Sequence, residues 1–130
     1  GKEFFRQLEL NLNENKSFMI ESTLSGRYLK DVIIKAEERG FKVVLIYIFL
    51  ESEIENILRV KNRVLNGGHD VPEVDIKRRY TRSRRLFWNN YKNMVDKWML
   101  FFNGDDNYEL VAEDDEILDL EYFNLFIKDL

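Results

Sequence analysis

The chain has 130 residues, 45% hydrophobic and 14% aromatic, which suits one packed domain and is too apolar for a disordered segment. A net charge of −4 gives no general reason to expect nucleic acid or an anionic membrane as partner. Without cysteine there is neither a disulfide framework nor a thiol nucleophile, and no apolar run nears the roughly 20 residues of a membrane helix. The opening GKEFFRQLELNLNENKS carries no signal-peptide core, so a cytoplasmic protein with no membrane partner is expected.

In chain order, residues 3–12 space Phe4, Phe5, Leu8 and Leu12 as a helix does. FMIEST, 18–23, is a short apolar run suited to a buried strand. From 25 to 39 the helical period returns with Leu29, Val32, Ile33 and Ala36 on one face, and Gly40 follows as a stop. KVVLIYIFL, 42–50, is β-branched and aromatic almost throughout, the pattern of a strand covered on both faces in a parallel sheet. ESEIENILRVKNRVL predicts a helix entered through Ser52 as N-cap with Glu55 three residues on. Gly67 and Gly68 end it, and Pro72 opens a helix to about Lys97 that carries Ile76, Tyr80, Leu86, Phe87, Tyr91 and Met94. KWMLFFN is a third strand, GDDN a turn, YELVAE a short antiparallel edge strand, and LDLEYFNLFIKDL a closing helix.

Strands alternating with helices imply right-handed βαβ units in a single α/β domain over residues 1–130. Ligands in such sheets bind beyond the carboxyl ends of the strands. That rule singles out Glu21-Ser22-Thr23, Leu50-Glu51-Ser52 and Asn103-Gly104-Asp105.

FMIESTLSGRYL, followed by RVKNRVLNGGHDVPEVDIKRRYTRS, resembles the zeta-toxin-like P-loop kinases. Members of that family carry an ETTLSG-like strand end and an RVxxRVxxGGHxVPxxxIxRRY segment. The likeness is dense over residues 18–83 and looser to about Asn103; Ser22 departs, standing where the family has Thr or Gly. It implies a three-layer P-loop-kinase fold, a parallel sheet with helices on both faces. It further implies transfer of the γ-phosphoryl group of ATP or GTP, with Mg²⁺, to a small-molecule hydroxyl. In the family's toxins that acceptor is a UDP-activated amino sugar, and an antitoxin protein is a partner; here the acceptor is open.

One element of the family pattern is missing. GxxxxGK[ST], which wraps phosphates in backbone N–H groups, does not occur, and GKE at the start lacks its Ser/Thr. The family's catalytic Asp is missing with it. The sequence thus resembles the carboxyl-terminal portion of such a kinase, N-terminally incomplete, inactive by itself and binding no nucleotide stably. An incomplete sheet would also expose an edge through which the chain could self-associate.

The resemblance assigns Glu21 and Thr23 to acceptor binding. Spacing alone equally fits a cap by Thr23 or Ser25 with Glu21 solvated. Arg63, and Arg79 of the Arg78–Arg79 pair, are assigned to the transferring phosphoryl group, whose charge a guanidinium fork answers bidentately. Arg79 is preferred because it adjoins Tyr80 of the core-facing set. The two glycines between them suit a lid. Asn103 corresponds to a contact with the nucleotide base. Arg82, Arg84 and Arg85 belong on a solvated face, and His69, without Cys or carboxylate at ligand spacing, is no metal ligand. Two alternatives differ in class. The chain could be a catalytically dead binding module. It could also grip nucleic acid through Lys77–Arg85, where six of nine residues are basic and Tyr80 and Trp88 could stack on bases, against an acidic total.

Overall fold

A computed structural model describes residues 2–24, 26–50, 53–68, 72–104, 107–128 and 130, with backbone alone at 53–56 and 59. The elements are α1 (Lys2–Asn13), α2 (Tyr28–Glu38), β1 (Val44–Phe49), α3 (Glu53–Leu65), α4 (Glu73–Asn89), a 3-10 turn (Tyr91–Asn93), β2 (Lys97–Asn103), β3 (Tyr108–Glu113), β4 (Glu116–Ile117) and α5 (Leu120–Ile127). β1 and β2 lie parallel, Val44 beside Lys97 through to Phe49 beside Phe102, and the crossover between them holds α3 and α4. β3 returns antiparallel to β2 and β4 antiparallel to β3, so the sheet runs β1-β2-β3-β4. The fold is mixed α/β around an open four-stranded sheet.

The apolar stripe of α2 divides between two clusters. Leu29 and Ile33 join the main core with Phe49, Phe87, Leu100, Phe123 and Phe126. Val32 and Ala36 meet Leu8 and Leu12 of α1, which is thereby held on the far side of α2. A Lys35–Glu9 bridge of 2.9 Å joins the two helices at the surface. Behind α2 the Gly40 N–H donates to Glu37 and the Phe41 N–H to Ala36, a Schellman stop with Gly40 at φ 81°. Trp98, Leu100 and Phe102, alternate residues of β2, are buried on the helix side of the sheet. Closing the chain, α5 is capped by the Asp119 carboxylate, which accepts the Tyr122 N–H, and it seats Phe123 and Phe126 in the same core.

Four sequence expectations are corrected. Residues 18–23 form no strand: Phe18 and Ile20 pack inward, but Met19 is 89% exposed and no described neighbour supplies a ladder. Among the described residues the parallel part of the sheet is therefore one pair of strands. β1 is not covered on both faces, since Val44, Ile46 and Ile48 alternate outward while Leu45, Tyr47 and Phe49 face the core. The long helix expected to Lys97 ends at Asn89. Asn90 leaves the helical region (φ −121°, ψ −65°), as paired asparagines of low helix propensity allow. YELVAE is antiparallel as expected, yet β4 lies outside it and makes the edge.

Candidate functional site

The parallel pair ends at Phe49 and Phe102, with Leu50 and Asn103 next in sequence, and α4 is fastened across this carboxyl end. Ile76, Tyr80, Arg84 and Phe87 recur at spacings of three and four; Tyr80, Arg84 and Phe87 meet the end and face of the sheet, while Ile76, at the start of the stripe, packs on α3. From that stripe the Tyr80 hydroxyl donates to the Leu50 carbonyl at 3.4 Å. The Arg84 guanidinium donates to the same carbonyl at 3.1 Å, to the Phe126 carbonyl at 2.9 Å, and to the Tyr80 hydroxyl. It is enclosed by the rings of Tyr80, Phe126 and Phe49, 4.3, 5.1 and 5.3 Å from their centroids. One turn away the Tyr47 hydroxyl shares a 2.8 Å hydrogen bond with Ser83, and the Tyr47 ring stacks on Phe87 at 4.7 Å. Burial pushes the Tyr47 phenol above its ordinary pKa; the Ser83 bond and the Arg84 charge only partly offset this.

Arg84 was expected on a solvated face with Arg82 and Arg85. The structure corrects this: Arg84 is 0% exposed, while Arg82 and Arg85 are exposed. Its position on the Ile76–Tyr80–Phe87 stripe is the sequence signal for this burial.

Arg79 is exposed on α4 beside Tyr80, at the end of the sheet where α4 is fastened. Arg78 is also exposed and is held by Asp75 at 2.6 Å. Arg63 is exposed in the last turn of α3. α3 packs on α4 through Ile57, Val60 and Ile76, with a Lys61–Glu73 bridge of 2.7 Å. Among the described residues no hydrogen bond or ion pair joins Arg63 to Arg79. Gly67 (φ 94°) and Gly68 form another Schellman stop, in which the Gly68 N–H donates to the Arg63 carbonyl at 2.7 Å. The cap by itself accounts for both glycines.

Asn103 is half-buried at the end of β2, paired with Tyr108. Glu21 and Thr23 are exposed in the irregular segment before α2, where the Ser22 hydroxyl accepts the Leu24 N–H at 3.0 Å and Leu24 takes φ 57°. Helix α2 starts after Arg27, whose own side chain does not cap it. Ser25, Glu51, Ser52, His69 and Asp105, and the Glu55 side chain, lie outside the described residues. On the outer side of α4, Arg78, Arg82, Arg85, Asn89 and Asn90 border an open groove of about 410 Å³. Trp88 is not on that face; it packs edge-on against Trp98 and Phe126.

A Haemophilus influenzae protein described as uncharacterized is 35% identical to this chain over 80 residues, 62% of this chain and 57% of that protein. The match thus spans little more than half the relative's length, and the relative's description carries no activity. No family model matches the chain. No solved structure matches it. Among the described residues, no helix is long and apolar enough to cross a membrane.

Proposed function

We propose that this chain is the arginine-bearing portion of a small-molecule phosphotransferase of the zeta-toxin-like kind, and that it binds anionic ligands without turning them over. The observation that carries the proposal is the attachment of Tyr80 and Arg84 to the Leu50 carbonyl, which sets α4 at the carboxyl end of a parallel strand pair. Ligands of open parallel sheets bind there. Arg79 immediately precedes Tyr80, Arg63 lies in the last turn of the helix packed on α4, and Asn103 ends the neighbouring strand. Exposed guanidinium groups suit phosphate, and the fastened helix spares them part of the ordering cost. Glu21 and Thr23 are the proposed contacts for the acceptor hydroxyl, and the three-layer kinase architecture belongs to the same proposal.

Mg²⁺ with ATP or GTP would supply the phosphoryl group in this reading. The residues present do not fit that pair: the sequence has no GxxxxGK[ST] loop, and among the described residues no three His, Asp or Glu gather as metal ligands. No transfer step is therefore assigned to the chain, since preorganised phosphate and metal contacts supply most of the catalysis of such reactions. Titration of the isotope-labelled chain with tripolyphosphate, followed by NMR, tests the site. Weak, saturable shifts are expected at Arg63, Arg79 and Asn103, lost in Arg79→Ala, with no nucleotide hydrolysis. Shifts confined to Arg78, Arg82 and Arg85 would favour a polyanion gripped by the outer groove of α4 and refute the kinase-like site. Hydrolysis abolished by Arg63→Ala would refute the absence of turnover.

A further inference from the structure

Helix α4 carries a second face, opposite the Tyr80–Arg84–Phe87 stripe. Arg78, Arg82, Arg85 and Asn89 follow one another at spacings of four, three and four residues, so they lie along one line of the helix. With Leu86 and Asn90 they border the open groove of about 410 Å³. All of them belong to α4 or to the residue after it, so this one stretch of chain builds the groove. The charge of Arg78 is answered by Asp75. Among the described residues, Arg82 and Arg85 are exposed and have neither a hydrogen bond nor an ion pair, and no carboxylate borders the groove. A chain of net charge −4 thus holds two unanswered guanidinium groups on one helix face.

We propose that this groove docks an extended acidic segment of a partner protein, at a site separate from the strand end that the other face of α4 meets. Guanidinium forks take carboxylates bidentately. Along the helix axis Arg82 lies about 6 Å beyond Arg78, and Arg85 about 4.5 Å beyond Arg82. Alternate side chains of an extended segment stand about 6.6 Å apart on one side, so acidic residues at every second position come within reach of successive arginines. The half-buried Leu86 and the arginine stems give apolar side chains of the segment a floor. Nucleic acid suits this surface less well. Tyr80 and Trp88 are turned inward, so no ring borders the groove to stack on bases. A long polyanion would also run past the groove into the field of an acidic chain, whereas a short segment meets the arginines alone. Contacts among exposed charges are weak, and the affinity falls with salt.

The probe is a dye-labelled peptide of alternating aspartate and leucine, titrated with the full chain at low ionic strength and followed by fluorescence anisotropy. Saturable binding is expected, at least tenfold tighter than for the matching asparagine–leucine peptide. Arg82→Glu combined with Arg85→Glu should weaken it at least tenfold and confer binding of a lysine–leucine peptide, with an unchanged far-ultraviolet spectrum. Lys77→Ala removes a charge from the same helix outside the groove and should change the affinity less than about twofold. Equal binding of the aspartate and asparagine peptides, a double variant that binds as well as wild type, or a loss in Lys77→Ala as large as in Arg85→Ala would each overturn the proposal. A single-stranded oligonucleotide that binds more tightly than the aspartate peptide would overturn it as well and assign the groove to nucleic acid.

Discussion

A guanidinium taken wholly out of water must recover its hydration from fixed acceptors, and Arg84 does so from the carbonyls that end two elements, Leu50 after β1 and Phe126 in α5. These bonds are charge-assisted, and the aromatic enclosure adds cation–π attraction. Arg84→Met keeps much of the apolar stem but leaves two carbonyls without this donor. The Leu50 carbonyl keeps the Tyr80 hydroxyl as a donor, so a loss of about 1–3 kcal/mol is expected, the cost of leaving the Phe126 carbonyl unsatisfied. Arg84→Lys should lose nearly as much, because a point ammonium cannot reproduce the planar fork that reaches both carbonyls. Urea unfolding measures both, and a loss under about 1 kcal/mol in either would show that the buried fork is not a principal tie.

Helix α3 ends where the backbone itself demands glycine. Gly67 sits at φ 94°, and a Cβ on Gly68 would lie 2.9 Å from the Arg63 carbonyl oxygen. Gly67→Ala should cost about 1 kcal/mol, the usual penalty for a side chain in that backbone region. For Gly68→Ala the contact is with backbone, so the stop must shift and the Gly68-to-Arg63 hydrogen bond should open. Faster amide exchange at Gly67 and Gly68, with the sheet amides unchanged, would confine the effect to the cap. Unchanged exchange would mean that the glycines serve something other than the stop. Elements of this kind were legible in the sequence because their causes are local. Gly40 and Gly67 follow apolar helical repeats, and all four residues read as the buried face of α2 are buried. FMIEST was misread because a strand is stabilised by its neighbour, and single-chain periodicity does not reveal whether one exists. For the same reason VLIYIF showed that a strand would form but not that one face would stay open. At the candidate site, Asn103 stood among the positions that the strand-end rule singles out, whereas Arg79 was assigned by the family resemblance alone. Arg84 required knowing which arginine shares the stripe of Ile76 and Phe87.

Across the whole molecule, cohesion between sheet and helices rests on a narrow aromatic layer in which Tyr47, Phe87, Trp98 and Phe126 touch one another. Tyr47 is the polar member, and its hydroxyl bonds Ser83 of α4 across the layer. Burial raises its phenol above the ordinary value, which fixes the sign of its pH dependence. An acid whose folded-state pKa exceeds the unfolded one binds its proton more tightly when folded. Its contribution is therefore whole below the unfolded value of about 10, and it is lost as pH rises toward the folded value. At neutral pH, Tyr47→Phe should cost about 1 kcal/mol, the typical worth of one neutral hydrogen bond. Above about pH 10 the unfolded wild-type chain gains a charged phenolate that the folded core excludes, whereas the Phe variant has nothing to ionise at that position. The stability gap between the two proteins should then narrow and finally reverse. Tyr91, also raised by burial, ionises identically in both and drops out of the difference. Urea titrations of the pair at neutral pH and near pH 11 measure the gap directly. A gap that stays constant over that range would place the Tyr47 hydroxyl in contact with water and remove it from the layer that holds α4 to the sheet.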